Sequence, residues 1–411
     1  MAVSQKTYIR RDARKRLILE IIRSTPEACR TLVQKRSGLS MDSTLFLINE
    51  LLESDLIHSV GKSDTRKAGR KSTLLRINEE GCFFVGLRFN ASSVTGAVIN
   101  FDSKVVLSRD WRSDGILSAR EMLAFLGKCI EELLDGLGER RSKVKGIGIG
   151  APGIIDLNKG TILRYVHIPD WKNVDLKKTF EQRFGIPVWV EHGVKCAARA
   201  MMSMPVHSSC ADMLYLQMDR GISMCIVANG QIYNGATYLS GEAGHIHVED
   251  NGILCECGRV GCLETVATDS AILRSAQALL QEGRCAKLKS MLDTGMPFWV
   301  STVCDAELVG DKDCAELLGN TGRCVGKVAA AALGLLNPRQ LILVGWMTSS
   351  PAFQRNVRRC LADGCLDESI QACQLFFSQR DKLADARGAA ELPFSKQFDS
   401  RMSVDYQFSN T

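Results

Sequence analysis

Apolar residues recur every three or four positions from Asp12 to Ser24, with basic residues between them. This spacing predicts an amphipathic helix. Gly38 and Ser40 are suited to end a second helix and to begin a third, as C-cap and N-cap residues. The three predicted helices cover residues 12–24, 29–36 and 40–54. Two short apolar runs around a basic turn then predict a β-hairpin with strands at 56–60 and 73–77.

The pattern changes after Cys82, where short apolar runs alternate with longer amphipathic stretches. Residues 144–149 predict a buried strand that enters a glycine-rich loop, and residues 119–137 predict a helix. The other predicted strands cover 83–87, 96–100, 213–218, 223–227 and 341–344, with a helix at 325–336 before the last. This alternation predicts an α/β fold class with two such units. A final helix is expected near the C-terminus, at 384–392.

Length and composition limit the class of protein. A chain of 411 residues exceeds one ordinary core, so two or three domains are expected. The sequence is 45% hydrophobic and 24% charged, with no apolar run that predicts membrane insertion and no signal-peptide core. Sixteen cysteines without a short secreted framework suit a reducing compartment. We therefore expect a cytoplasmic protein.

The positive charge is concentrated at the N-terminus. Residues 1–80 contain 16 Lys and Arg against 10 Asp and Glu, which equals the net charge of +6 of the whole chain. A basic segment of this kind is where double-stranded DNA is expected to bind. Charge runs are also common on solvated faces, and this alternative stays open.

The order helix, helix, helix, hairpin resembles a winged helix-turn-helix, whose third helix enters the major groove while the wing reaches the phosphates. Phe46 and Leu47 stand where recognition helices usually carry polar or basic residues, and Asp42 would repel phosphate, so few sequence-specific contacts are expected. A module used only for dimerisation is the alternative. The residues predicted to bind DNA are Ser43, Thr44 and Asn49 in the third helix and Arg70 and Lys71 in the hairpin turn.

A glycine-punctuated stretch, residues 241–264, combines three thiols with an upstream imidazole. Four such ligands can close a tetrahedron without an open position, which is typical of structural zinc. Gly258 and Gly261 let the backbone turn tightly enough for the thiolates to converge. The alternative is that these cysteines are small buried hydrophobes. The predicted zinc ligands are His245, Cys255, Cys257 and Cys262.

The same stretch, Gly-Glu-Ala-Gly-His followed by Cys-Glu-Cys-Gly-Arg-Val-Gly-Cys-Leu-Glu, resembles the signature of the ROK family of sugar kinases and sugar-responsive transcriptional repressors. The resemblance covers nearly the whole chain. It implies a winged helix-turn-helix followed by a two-lobed, actin-like (sugar-kinase/ribonuclease H-like) ATPase fold. It also favours His245 over His247, the competing imidazole, as the metal ligand. The expected domains are residues 1–80, residues 81–195 completed by a C-terminal helix at 384–400, and residues 196–383 with the zinc loop.

The kinase motifs that the resemblance implies are degraded. Arg88 to Ser92 stands where the family's first phosphate loop has Asp-x-Gly-Gly-Thr, and only Gly221 remains of the second loop's Gly-x-Gly pattern. His192 and Gly193 replace the family's sugar-binding Asn and general-base Asp. Glycine has no side chain to take a proton, so we expect no catalytic residues and no kinase activity. The rival interpretation is an ATP-dependent sugar kinase with a regulatory head.

The resemblance also implies a partly retained sugar pocket. Glu242 and Glu264 match family sugar contacts, although both could instead support the zinc loop. The expected ligand-binding residues are Gly153, His167, His192, Glu242, His245 and Glu264. The sequence thus predicts a regulator of sugar genes, acting as a repressor, that binds operator DNA, a structural zinc and a sugar or sugar-phosphate effector as a homodimer or tetramer. Control by a protein partner is a third possibility.

Overall fold

The structure, a computed structural model, describes residues 2–62, 72–115, 117–204, 206–207, 210–250 and 252–398, with side chains from Arg11 onward except that of Lys62. The chain divides into two compact units, Met1–Met201 with Lys382–Thr411, and Met202–Asp381. Within the described ranges, no helix has both the length and the apolarity needed to cross a membrane.

The N-terminal head contains the three helices and the hairpin that the sequence predicts. Gly38 ends the second helix with a φ of 67°, a left-handed conformation that glycine adopts without strain. The Ser40 hydroxyl accepts the backbone N–H of Ser43 and so caps the third helix. The first helix begins at Ala2, earlier than the predicted start at Asp12. Its first ten residues have no apolar stripe from which a helix could be predicted. The elements are α1 (Ala2–Ser24), α2 (Arg30–Ser37), α3 (Met41–Glu53) and the antiparallel pair β1 (Ile57–Lys62) and β2 (Thr73–Ile77).

The core of the head continues into the first lobe. Ile18 of α1 belongs to the same buried cluster as Phe84 and Phe101, which follow the head in sequence. Arg23 donates a hydrogen bond to the Phe101 carbonyl and lies 5.4 Å from the centre of its ring. The predicted boundary after residue 80 therefore falls inside one hydrophobic core.

The first lobe is built on a mixed five-stranded sheet. Its elements are β3 (Phe83–Phe89), β4 (Ser93–Asn100), β5 (Val105–Arg112), α4 (Ala119–Asp135), β6 (Val144–Ala151), β7 (Ile154–Asp156), β8 (Thr161–Arg164), β9 (Lys172–Asp175), α5 (Leu176–Phe184), β10 (Val188–His192) and α6 (Gly193–Met202). The sheet order is β10-β6-β3-β4-β5, with β10, β6 and β3 parallel and β4 and β5 antiparallel to their neighbours. Strands β7, β8 and β9 form a separate small sheet.

The C-terminal helix α14 (Lys382–Phe398) packs directly on this sheet. A Cβ at Gly86 would lie 2.1 Å from the Ala386 carbonyl oxygen, and one at Gly148 would lie 1.8 Å from that of Ala389. Two strand glycines thus allow the helix backbone to approach the sheet.

The second unit repeats the same sheet topology. Its strands are β11 (Met213–Met218), β12 (Ile222–Ala228), β13 (Gln231–Ile232), β14 (Gln340–Val344) and β15 (Gln374–Ser378). Its helices are α7 (Glu264–Ala267), α8 (Asp269–Gln281), α9 (Ala286–Asp293), α10 (Val300–Leu308), α11 (Lys312–Leu336), α12 (Pro351–Gly364) and α13 (Asp367–Ala372). The sheet order is β13-β12-β11-β14-β15, with the last three parallel and the first two antiparallel. Two sheets of matching topology are the mark of an actin-like fold.

Candidate metal centre and effector site

The four predicted zinc ligands converge in the loop that precedes α7. Their nitrogen and sulfur atoms all lie within 4.8 Å of one another. Cys255 Sγ is 3.6 Å from His245 Nδ1, and Cys257 Sγ is 3.6 Å from Cys262 Sγ. A tetrahedral zinc ion with bonds of about 2.0–2.3 Å holds its ligand atoms roughly 3.5–3.8 Å apart. The cluster therefore fits an ion of this size and geometry.

Glycines make the turn between the thiols possible. Gly258 and Gly261 have φ angles of 86° and 75°, a region that other residues enter only with strain. A Cβ at Gly261 would also lie 1.9 Å from the Glu249 carbonyl oxygen. The Cys255 N–H donates to the Arg259 carbonyl at 2.7 Å and closes the turn.

The thiols differ in their surroundings. Burial raises the pKa of Cys262 to about 12 and also raises that of Cys255. The backbone N–H of Arg259 lowers the pKa of the exposed Cys257. Zinc binds thiolates and must displace the protons of these groups, so metal uptake at this cluster releases protons.

The imidazole in the cluster is that of His245. The His247 side chain is 55% exposed, and its Nε2 lies 3.9 Å from Asp250 Oδ1. Glu264 Oε2 lies 3.8 Å from His245 Nδ1, and Glu264 Oε1 accepts the backbone N–H of Ile222 at 2.8 Å. Glu264 therefore orients the loop whether or not it also contacts a ligand.

A second group of possible metal ligands, Cys285, Asp311 and Cys314, is fully buried. The Asp311 carboxylate accepts four backbone N–H groups at the starts of two helices, α9 and α11. These donors belong to Lys287, Leu288, Asp313 and Cys314. This saturation makes Asp311 a double helix cap, so we assign the group a structural role.

Each unit contains three of the six predicted effector residues. Gly153, His167 and His192 belong to the first unit, and Glu242, His245 and Glu264 belong to the second. His167 and Glu242 are exposed. Gly153 has a φ of 84°, and a Cβ there would lie 2.3 Å from the Arg164 carbonyl oxygen, so glycine is required at this turn.

The position expected for the catalytic base is occupied by an arginine side chain. A Cβ at Gly193 would lie 2.3 Å from Arg88 Nε and 2.6 Å from Arg88 Cζ. The register explains the contact, because Arg88 pairs with Gly150 and His192 pairs with Ala151 along β6. The sequence shows that Arg88 and Gly193 differ from the family pattern, but only the strand register shows that the two residues are in contact.

The surroundings of His192 do not suit a general base. Its Nε2 is buried and has no hydrogen-bond partner within the described ranges. Burial, with a smaller contribution from Lys195, lowers the pKa of His192 to about 3. A general base works best with a pKa near the operating pH. The neutral imidazole also adds no charge that would attract an anionic ligand.

The buried imidazole makes stability depend on pH. His192 becomes protonated near pH 6.5 in the unfolded chain but only near pH 3 in the folded chain. Its contribution to the free energy of unfolding is therefore fully present above pH 6.5 and is lost as the pH falls toward 3. We expect a His192→Asn variant to lose less stability on acidification, by about 1 kcal/mol per pH unit on average between pH 7 and pH 5. Urea unfolding at pH 7 and pH 5 measures it. An identical pH dependence in the variant would contradict the burial of this group.

The predicted phosphate loops are closed by internal contacts. Asn90 Oδ1 accepts the backbone N–H groups of Ser92 and Ser93 at 2.9 and 3.0 Å, so these donors are engaged within the turn. In the second unit, Asp219 beside the β11–β12 turn forms an ion pair with Arg380. Two backbone N–H groups of the first turn and the charge of Arg380 are thus engaged in contacts within the protein.

The predicted DNA-binding residues of α3 differ in their exposure. Asn49 is exposed and Ser43 is half-buried. Thr44 is fully buried, and its hydroxyl donates to the Ser40 carbonyl at 2.9 Å. The prediction that Thr44 faces DNA is therefore wrong, because its position on α3 turns it toward the core. Arg70 and Lys71 lie outside the described residues.

The duplicated sheets, the Cys/His loop and the N-terminal head define an actin-like sugar-kinase body joined to a helix-turn-helix module. A model of the ROK family matches residues 84–395. The chain therefore belongs to the ROK family, and the predicted fold class is confirmed.

Several similar proteins are transcriptional regulators. The DNA-binding transcriptional dual regulator NagC of Escherichia coli K12 is 27% identical over 77% of this chain and 76% of its own length. The transcriptional repressor Mlc of the same strain is 27% identical over 78% and 77%. The xylose repressor of Bacillus spizizenii is 23% identical over 95% and 97%. By their names, these three relatives are a dual regulator, a transcriptional repressor and a xylose repressor.

Solved structures give the same fold. A ROK transcriptional regulator, a homologue of the E. coli Mlc protein, matches 96% of this chain and 99% of its own with a TM-score of 0.83 and 24% identity. A ROK glucokinase from Streptomyces griseus, in complex with glucose and AMPPNP, matches 75% and 98% with a TM-score of 0.60 and 23% identity. The kinase match leaves a quarter of this chain uncovered.

Proposed function

We propose that this chain is a DNA-binding transcriptional regulator that represses genes for sugar uptake or metabolism, with a ROK body that no longer catalyses phosphorylation. The observation that carries the proposal is the Arg88 guanidinium beside Gly193, in a chain that also has a helix-turn-helix head. The transcriptional regulators among its relatives, which include a xylose repressor, support the regulatory role.

Phosphoryl transfer to a sugar requires a base near the attacking hydroxyl and donors around the nucleotide phosphates. Where the base is expected, this chain has Gly193, the neutral buried imidazole of His192 and the positively charged Arg88. At the second, Asn90 accepts two backbone N–H groups of the first turn, and Asp219 beside the second turn pairs with Arg380. Each change alone weakens a kinase, and together they favour a body without catalysis.

Incubation of the full chain with ATP, Mg²⁺ and a panel of hexoses and N-acetylhexosamines is expected to give no sugar phosphate. A ROK glucokinase assayed in parallel serves as the positive control, since kinases turn over at about 1–100 per second. A Gly193→Asp variant is expected to remain inactive, because the Arg88 guanidinium beside this position would pair with the new carboxylate and weaken it as a base. Turnover at ordinary kinase rates by the unmodified chain would establish the rival function, a sugar kinase.

We infer a structural zinc held by His245, Cys255, Cys257 and Cys262. The compact Cys/His cluster and the glycine turns support this assignment. A closed set of three thiolates and one imidazole leaves no position for substrate, so the ion would stabilise the loop without taking part in chemistry.

The body would sense a sugar or sugar phosphate. Glu242 and Glu264 offer carboxylates to sugar hydroxyls, Gly153 borders the predicted pocket, and His167 and His192 stand where the family resemblance places amides. Arg88 adds a positive charge that favours an anionic effector. Such a ligand controls DNA binding only if it has different affinities for the DNA-competent and DNA-incompetent states.

The regulator would act in the cytoplasm as a homodimer or tetramer on an operator of two half-sites. One helix-turn-helix module buries little DNA surface, and a two-fold pair gains affinity and specificity.

A further inference from the structure

Helix α3 exposes an aromatic ring where a helix-turn-helix protein carries its base contacts. Phe46 is 55% exposed, and Asn49 is exposed one turn further along the helix. The neighbouring positions Thr44, Leu47 and Ile48 are buried in the core of the head. Phe46 and Asn49 therefore lie on the outer face of the helix.

The composition of α3 limits what this face can recognise. The segment Met41–Glu53 contains no Arg or Lys, so it lacks the side chains that most often read guanine. Asn49 offers an amide, and Phe46 offers a large apolar surface. In the major groove, the apolar group on a base edge is the 5-methyl group of thymine.

Helix α1 places positive charge beside the ring. The Arg11 guanidinium carbon lies 5.1 Å from the centre of the Phe46 ring. Arg11 Nε donates to Glu50 Oε2 at 3.2 Å, and Lys15 Nζ lies 3.4 Å from the same oxygen. The Arg11 guanidinium thus covers one side of the ring, and Arg11 and Lys15 together carry one more positive charge than the Glu50 carboxylate, with which both pair, can neutralise.

We propose that Phe46 contacts the 5-methyl group of a thymine and so specifies one base pair in each half-site. The proposal rests on the DNA-binding function proposed above. The place of α3 as the third helix of the head and the net positive charge of residues 1–80 as a whole favour DNA over a protein as the occupant of this face; α3 itself carries only acidic charges.

The test uses duplexes that the full chain selects from a random oligonucleotide pool. Each thymine is replaced singly by uracil, which removes only the methyl group. For the unmodified chain, we expect one thymine per half-site at which uracil weakens binding about three- to fivefold, the effect of losing one buried methyl contact. A Phe46→Ala variant should bind more weakly and show no further loss with uracil at that position.

Two variants complete the experiment. Phe46→Leu keeps an apolar contact and is expected to retain part of the uracil sensitivity. Trp299→Ala, which removes a 63% exposed aromatic ring from the second unit, should leave affinity and sensitivity unchanged.

The outcomes separate this inference from the function on which it rests. Failure to select any duplex would refute the DNA-binding function. Specific duplexes whose binding ignores every uracil substitution, or uracil sensitivity that persists fully in Phe46→Ala, would overturn the role of Phe46 alone. Unchanged DNA affinity in Phe46→Ala would likewise exclude the ring from the DNA interface.

Discussion

A Cys257→Ser variant is expected to lose its zinc and several kcal/mol of its free energy of unfolding. Cys257 is the exposed thiol of the cluster. Replacing an exposed side chain that binds no metal usually changes the free energy of unfolding by no more than about 0.5 kcal/mol. Structural zinc contributes far more, about 10–16 kcal/mol of apparent binding free energy in zinc-finger peptides. Elemental analysis and thermal unfolding, with and without a chelator, measure both effects.

Two control variants separate metal loss from packing. His247→Ala should retain one zinc per chain, because His247 Nε2 lies beside Asp250 and outside the cluster. Cys360→Ser removes a half-buried thiol elsewhere in the second unit and should also retain zinc. Unchanged metal content and melting temperature in Cys257→Ser, or no stoichiometric zinc in the unmodified chain, would show that these cysteines only pack.

An Arg70→Ala/Lys71→Ala double variant is expected to bind DNA roughly a hundredfold more weakly at 50 mM salt. Each side chain is predicted to neutralise one phosphate, and each lost contact lowers the slope of log affinity against log salt by about 1. The slope should therefore fall by about 2, to a similar extent on specific and unrelated duplexes. Titrations between 50 and 200 mM salt measure this change.

The matched control removes the same charge from the second unit. Lys289→Ala/Arg359→Ala replaces two exposed basic residues there and should leave the slope unchanged, because binding responds to local phosphate contacts. Equal effects of both double variants would point to net charge alone. An unchanged slope in the Arg70/Lys71 variant would exclude these residues from the interface.

Periodicity and capping residues predict much of this fold. Gly38 and Ser40 locate the boundary between α2 and α3, and the apolar runs locate the strands. The start of α1 escapes prediction because residues 2–11 have no apolar stripe. The local sequence pattern also places Thr44 on the DNA-facing side of α3, whereas its side chain is buried. A shift of one position along a helix is enough to turn a side chain from solvent to the core.

Contacts between distant segments could not be read from the sequence. Arg88 and Gly193 are separated by more than 100 residues, and their contact depends on the register of β3, β6 and β10. The same holds for the shared core of the head and first lobe. A chain shortened to begin at Cys82 would expose Phe84 and Phe101. Tests of DNA binding therefore need point variants in the full chain.

The central claim, that this ROK chain reads DNA, is tested most directly by incubating the full chain with sheared DNA from its native genome and sequencing the bound fragments. The account predicts a small set of discrete fragments, sharing one two-fold symmetric sequence and lying upstream of genes for sugar uptake or metabolism. Recovery of fragments without a common sequence, at the level obtained without protein, would contradict it.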